Sequence, residues 1–275
     1  MLRDITLGQY YNTKSVIHSL DPRTKILGTL VYMVSLFAFN SFWTYLIAFI
    51  ALVTVIVLSK VPVRFMLRGM KAIFIFLCIT VLYNLFLTQG DTIFSFWIFN
   101  ITIQGLKMAI LMFFRLTFLV VGSSILTLTT TPSNLTDGLE SLMSPLKIIK
   151  VPVAEIAMMM SIALRFIPVL TEETDKIMRA QKARGADLES KNLFKRVQSY
   201  VPILVPLFIS AFRRANDLAT AMEARGYRGG VGRTKMKPLK YVARDWIAYT
   251  CMLMYGGITL GVTIILNFQA FMLKA

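Results

Sequence analysis

From Ile26 to Ser59 the chain contains no Asp, Glu, Lys or Arg, and most of these positions are aliphatic or aromatic. A water-soluble fold has no place for so long an uncharged apolar run, whereas a helix crossing a bilayer needs about 20 such residues. The stretch is too long for one span and just long enough for two short ones, with Asn40-Ser41 as the polar break. The pattern predicts a tight helical hairpin over 24–40 and 42–59. Similar runs predict a third span over 72–87, a fourth over 106–128 and a last over 246–268. Between the third and fourth, Ile93, Phe94, Phe96, Trp97, Ile98, Ile101 and Ile103 are aromatic or β-branched. That chemistry favours strand, with a turn near Asn100, and its rings suit the membrane–water interface. The fold class is all-α: a polytopic membrane protein of about five transmembrane helices with long cytoplasmic or interfacial helices.

Only 16% of residues are charged, against roughly 25% in a soluble domain. The first 25 residues hold Arg3, Asp4, Lys14, Asp21 and Arg23 and no apolar stretch long enough for a signal-peptide core, so no cleavable leader is expected. The net charge of +16 follows the positive-inside rule. A nucleic-acid partner is not expected, because the aromatics lie inside the apolar runs and do not interleave with a basic patch. Lys60, Arg64, Arg68 and Lys71 form a basic loop around Pro62, and residues 131–246 carry 19 Lys and Arg against 11 Asp and Glu. The loops near 40 and 89–105 carry no Lys or Arg. This asymmetry puts the N-terminus and residues 131–246 in the cytoplasm and the C-terminus outside.

The usual catalytic kits are absent. Cys78 and Cys251 fall within apolar spans and read as small buried hydrophobes. With His18 as the single histidine, three or four zinc ligands cannot be assembled. Gly229 to Lys235 resembles a phosphate loop, but the spacing fails and no strand precedes it. There is no HExxH or GxSxG sequence. Neither a metal nor another cofactor is expected on this chain, which is not read as an enzyme.

The segment from 131 to 246 has a different character. Thr131-Pro132 opens a short helix, and Ser144-Pro145 ends it. A long helix is predicted from Pro152 to Arg184, apolar from Ile156 to Leu170 and charged from Glu172, with a kink at Pro168. A second runs from Leu193 to Arg225, with Pro202 and Pro206 in its apolar half. Each ends in the same tripeptide, Ala183-Arg184-Gly185 and Ala224-Arg225-Gly226, inside a longer repeat over 180–185 and 221–226. One copy is ordinary helix punctuation, a cation in the last turn and a glycine just past it. Two copies read as paired plugs for two similar cytoplasmic pockets, since the arginine fork suits paired recognition of carboxylates or carbonyls. Met158, Met159, Met160 and Leu164, with Ile203 and Leu207 on the second helix, are candidates for a re-packable platform under a second membrane protein. Packing beneath the chain's own bundle is the other reading. Arg115 is an intramembrane charge, expected to bond Asn84, Thr80 or backbone carbonyls, or to face another subunit. No intramembrane carboxylate accompanies it, which argues against the alternative of a stand-alone secondary transporter or channel.

Three stretches together resemble the transmembrane T component of energy-coupling factor (ECF) transporters, the EcfT/CbiQ family. They are His18-Ser19-Leu20-Asp21-Pro22-Arg23-Thr24-Lys25, the run Leu164-Arg165-Phe166-Ile167-Pro168 leading to Gly185, and Glu223-Ala224-Arg225-Gly226-Tyr227. The resemblance implies a multi-pass protein of a prokaryotic cell membrane. It implies two ABC-type ATPase subunits as partners, which bind ATP and Mg and take up Arg184 and Arg225. It also implies a substrate-binding membrane S component that delivers a vitamin or other micronutrient. The organisation it suggests is a membrane region over 1–130, a cytoplasmic coupling module over 131–245, and a last span with the C-terminus over 246–275.

Overall fold

The computed structural model describes residues 10–39, 41–88, 90–96, 99–186, 193–229, 236 and 238–272. Among the described residues the chain is helical apart from one small hairpin. Its elements are α1 (Pro22–Ala38), α2 (Phe42–Ser59), α3 (Val63–Leu87), β1 (Thr92–Phe96), β2 (Phe99–Thr102), α4 (Ile103–Thr129), α5 (Pro132–Leu142), α6 (Val153–Ala183), α7 (Leu193–Ala224) and α8 (Ala243–Met272). A 3-10 helix over Ser144–Ile149 links α5 to α6. Two compact units form: one takes the described residues within Gly8–Gly138 and Leu239–Ala275, the other those within Leu139–Pro238.

Among the described residues four helices, α2, α4, α6 and α8, are long and apolar enough to cross a membrane, and α3 makes a fifth if its two limbs count as one span. The expected total of five holds, but its membership differs. Helix α1, expected to be the first span, has 17 residues, about 25 Å of rise, and falls short of that length. Helix α6, whose apolar half is expected as a platform or as packing beneath the bundle, passes on length and apolarity. Helix α3 also starts earlier than expected. Arg64, Arg68 and Lys71 lie on a helical limb, Val63–Lys71, which meets Ile73–Leu87 at 66°; the loop expected around Pro62 is confined to the turn before it. Strands β1 and β2 pair antiparallel, with Asn100 opposite Ser95 and Phe99 opposite Phe96. Asn100 is thus paired within β2, and residues 97–98 lie outside the described residues. The polar break at Asn40 and residues 230–235 of the phosphate-loop lookalike lie outside the described residues.

The core of the first unit is a cluster of Leu36, Tyr45, Leu52, Met66, Phe118, Ile125 and Leu128 with their neighbours, drawn from α1, α2, α3 and α4. Large apolar side chains also cover the outside: Phe42 and Trp43 are each 60% exposed, as suits a surface solvated by lipid. Cys251 is exposed as well, and Cys78 half-buried, so the thiols are not the buried hydrophobes expected. Hydroxyls in the helices fold back onto their own carbonyls, as Thr54 does to Ile50 and Thr80 to Phe76. Such bonds satisfy those hydroxyl donors without water, as residence in hydrocarbon requires.

Polar side chains tie three helix ends together within this unit. Asp245, in the first turn of α8, is 2% exposed. Its Oδ1 accepts from the Asp21 N–H at 2.8 Å and its Oδ2 from the Val242 N–H at 2.9 Å. One carboxylate thus satisfies donors at the starts of both α1 and α8, where helix dipoles favour negative charge. Asp21 in turn caps α1 by accepting from Arg23 N–H. The Arg23 guanidinium lies 5.0 Å from the Tyr241 ring centroid and donates to the Leu239 carbonyl. At the opposite helix polarity, the last carbonyls of α4 find donors: Leu128 accepts from Tyr11 N–H and Thr129 from Lys25 Nζ at 2.9 Å. The stretch from His18 to Lys25, a turn leading into α1, is also a fastener between helix ends.

His18 completes it. Its Nε2 lies 2.9 Å from the Tyr11 carbonyl and its Nδ1 2.7 Å from Ser15 Oγ. A carbonyl only accepts, so Nε2 carries the proton and Nδ1 of the neutral ring accepts from Ser15. Burial, the main cause, holds this imidazole below its ordinary value of 6.5, with Lys25 acting in the same direction.

Replacing Asp245 by Ala should strand two buried N–H groups and lower unfolding free energy in detergent by about 2–3 kcal/mol. Amide exchange at Asp21 and Val242 should speed up in the same variant. Acidification should act through His18, because the unfolded imidazole binds its proton at a higher pH than the folded one. Its stabilising contribution is present above the unfolded value and lost as pH falls through it. The melting temperature should drop between roughly pH 7 and roughly pH 5.5, with a shallower drop in His18→Gln.

Candidate coupling surface

The second unit is built on α6 and α7, which pack antiparallel. Arg214 Nη2 meets Glu173 Oε2 at 3.0 Å. Farther along, Gln181 Nε2 donates to the Pro202 carbonyl at 3.4 Å. That carbonyl is available because Pro206, four residues on, has no N–H to bond it. The prolines within these helices do not end them; one frees an acceptor that the partner helix uses.

The helix ends are closed by the same device twice. At the first, Gly185 has φ +86; its N–H bonds the Lys182 carbonyl, and the Ala186 N–H reaches back to Gln181. At the second, Gly226 has φ +74; its N–H bonds Glu223, and the Tyr227 N–H reaches back to Met222. The six-to-one bond with a left-handed residue after the last helical turn is a Schellman cap, and glycine takes that conformation without a Cβ clash. Nothing stands within 4 Å of where a Cβ would lie on either glycine. Ala183, Arg184, Ala224 and Arg225 are all exposed. Neither guanidinium has a hydrogen-bond or ion-pair partner among the described residues.

The two tips are related by the central ion pair. Glu173 and Arg214 are 41 positions apart, the same offset that carries Arg184 onto Arg225. The ion pair therefore joins equivalent positions of the repeat, and equivalents can touch only close to a pseudo-twofold axis. From that point each arginine lies eleven residues farther along its own helix, about 16 Å at 1.5 Å per residue. Because the helices run antiparallel, the tips point away from each other. Sequence reading missed Glu173, Arg214 and Gln181; the 41-residue offset between an acid and a base was the signal available.

The apolar halves present a broad face. Met159 and Met160 are 57% and 41% exposed, and Met158 and Leu164 are half-buried. On α7, Leu207 lines an open groove with Leu170, Leu204 and Phe208, and the Phe208 and Phe212 rings lie 4.7 Å apart. Ile203 points inward, 3% exposed, and contributes packing in place of surface. Arg115, in the other unit, donates through Nε to Tyr45 Oη at 2.7 Å, and its guanidinium lies near the Phe37 ring. Asn84 and Thr80, the partners expected for it, bond carbonyls of their own helix. No group of acidic, histidine or cysteine side chains that could hold a metal occurs among the described residues.

Comparison with known proteins agrees with this architecture. The family described as "Cobalt transport protein", CbiQ, matches residues 13–237. The energy-coupling factor transporter transmembrane protein EcfT of Clostridium kluyveri is 54% identical over 255 residues, covering 92% of this chain and 94% of that protein. EcfT of Ruminiclostridium cellulolyticum is 51% identical over 245 residues, 89% of this chain and 92% of its own length. EcfT of Lactococcus lactis subsp. cremoris is 44% identical over 245 residues, with the same coverage. A family match over residues 13–237 and relatives more than half identical along nearly their whole length make it a member of the EcfT/CbiQ family, the transmembrane proteins of energy-coupling factor transporters.

Proposed function

We propose that this chain is the coupling subunit of an ECF-type importer, carrying the motion of two ABC-type ATPase subunits to a substrate-binding S component that takes up a vitamin or other micronutrient. The observation that carries the reading is the pair of exposed, identically capped arginine tips, disposed about a pseudo-twofold axis. Two related ATPase subunits would offer two related grooves, and a rod pair with matching ends fits such a partner. ATP and Mg then belong to those partners, and this chain supplies binding and leverage only.

In this scheme residues 131–245 form the cytoplasmic coupling module, 1–130 the N-terminal membrane region, and 246–275 the last span with an external C-terminus. The charge asymmetry of the loops supports that orientation. When ATP closes the ATPases, their grooves shift relative to one another, and rods seated in both must change their mutual angle. The Glu173–Arg214 contact lies where such rods pivot. The face around Met158, Met159, Met160, Leu164 and Leu207 would move under the S component, and unbranched methionines suit a surface that re-packs against several partners. The bond to Tyr45 gives Arg115 a structural role, which favours this reading over a stand-alone transporter with a charged pathway.

Arg184→Glu or Arg225→Glu should lower recovery of ATPase subunits with the chain from native membranes by about tenfold or more, as loss of an interface arginine typically does. The double variant should recover less than either. Wild-type assembly and uptake in the double variant would refute the docking role. Glu173→Arg should change folding stability by less than about 1 kcal/mol, since the pair is partly solvated, yet reduce uptake per ATP hydrolysed. The exchange Glu173→Arg/Arg214→Glu should restore that ratio, and a ratio indifferent to both changes would remove the pivot from the mechanism.

A further inference from the structure

The first limb of α3 carries two exposed cations, Arg64 and Lys71, with no ion-pair partner among the described residues. Its inner face is set into the helical core: Met66 is completely buried, and Phe65 and Met70 pack on the same cluster. Gly69 sits so close to α4 that a Cβ would stand 3.2 Å from Ser124 Oγ, so the limb lies tightly against its support. The outer face is different. Lys60, at the left-handed turn ahead of the limb with φ 56, and Arg64 and Lys71 on the limb are all exposed. Val63 and Leu67, interleaved with them, are 51% and 48% exposed. None of the three cations has an ion pair among the described residues. The sequence has no acidic residue between Asp21 and Asp91, so no local partner exists.

Just past the bend, the exposed surface becomes wholly apolar, with Phe74, Ile75 and Phe76 at 58%, 71% and 60%. The hydrocarbon boundary therefore falls at the bend. A limb with cations alternating with apolar side chains on one face, leaving a lipid-facing span at a steep angle, has the make-up of an interfacial helix. We propose that Lys60, Arg64 and Lys71 form a binding site for anionic phospholipid headgroups, which hold this limb along the membrane surface. The arginine fork and two ammonium groups suit a phosphodiester anion, and Val63 and Leu67 meet the acyl region beneath it. An acidic protein surface would answer the charges but not the apolar side chains set between them. The site depends on the chain's residence in a membrane and not on ATPase docking, so the two proposals fail separately.

The test uses the full chain with Trp43, Trp97 and Trp246 replaced by Phe and a reporter introduced as Leu67→Trp. It is reconstituted into phosphatidylcholine vesicles containing dibrominated phosphatidylglycerol or dibrominated phosphatidylcholine. Quenching should report about a threefold or greater preference for the anionic lipid, falling to about one in Lys60→Gln/Arg64→Gln/Lys71→Gln. A reporter kept at Trp43, near the opposite end of α2, should show no change with the triple substitution. Absence of preference at Leu67→Trp overturns the proposal, as does a preference that survives the triple substitution. Quenching by neither lipid also overturns it, because protein would then cover the face. If the tryptophan-free chain does not fold, native mass spectrometry of the unaltered chain reads the same site. Phosphatidylglycerol adducts should be retained there and lost in the triple variant; equal retention in both counts against the site.

Discussion

One buried carboxylate, Asp245, accepts from the N–H groups of Asp21 and Val242 and so fixes the starts of two helices that are 224 positions apart in sequence. A membrane helix satisfies its own interior hydrogen bonds, but its ends do not, and lipid cannot supply donors or acceptors. The ends are thus where such a protein must spend its polar residues. In the membrane unit, negative charge from Asp245 and Asp21 meets helix N-termini, and Lys25 meets the C-terminal carbonyl of Thr129. Each sign is matched to the end of the dipole it favours. Core packing of Met66, Leu128 and their neighbours then has fixed helix ends to build on.

The second unit solves the same problem with backbone alone. Both long helices close with glycines in the left-handed region and six-to-one bonds, which leaves the arginine side chains free of any capping duty. An arginine needed to satisfy its own helix end could not also reach a partner. Division of labour between glycine and arginine is what makes the tripeptide suitable as a docking tip. It also explains why alanine precedes it, since a larger side chain there would crowd an approaching groove.

Much of this was legible in the sequence, where one strong local rule acted alone. Uncharged runs gave the helical hairpin, Thr131-Pro132 gave the start of α5, and Ala-Arg-Gly gave both rod ends to within a residue. The strand chemistry gave the hairpin before α4, but Asn100, the polar residue read as marking its turn, is paired within β2, and no glycine or proline stands between Phe96 and Phe99. Helix α3 began early because Val63, Met66 and Met70 continue its apolar stripe through residues whose charges suggested a loop. Contacts such as Arg115 with Tyr45 and Asp245 with Asp21 join residues far apart in the chain. Periodicity and propensity are local and carry no record of such pairs.

The ion pair between α6 and α7 constrains how a repeated segment can sit on its own axis. If both copies carried glutamate at this position, or both arginine, like charges would meet where the two halves cross, a modest repulsion at a partly solvated site. One acidic and one basic copy turn that repulsion into an attraction. That difference gives an otherwise symmetric crossbar a left and a right arm, so the protein can tell its two ends apart even though their tips are the same.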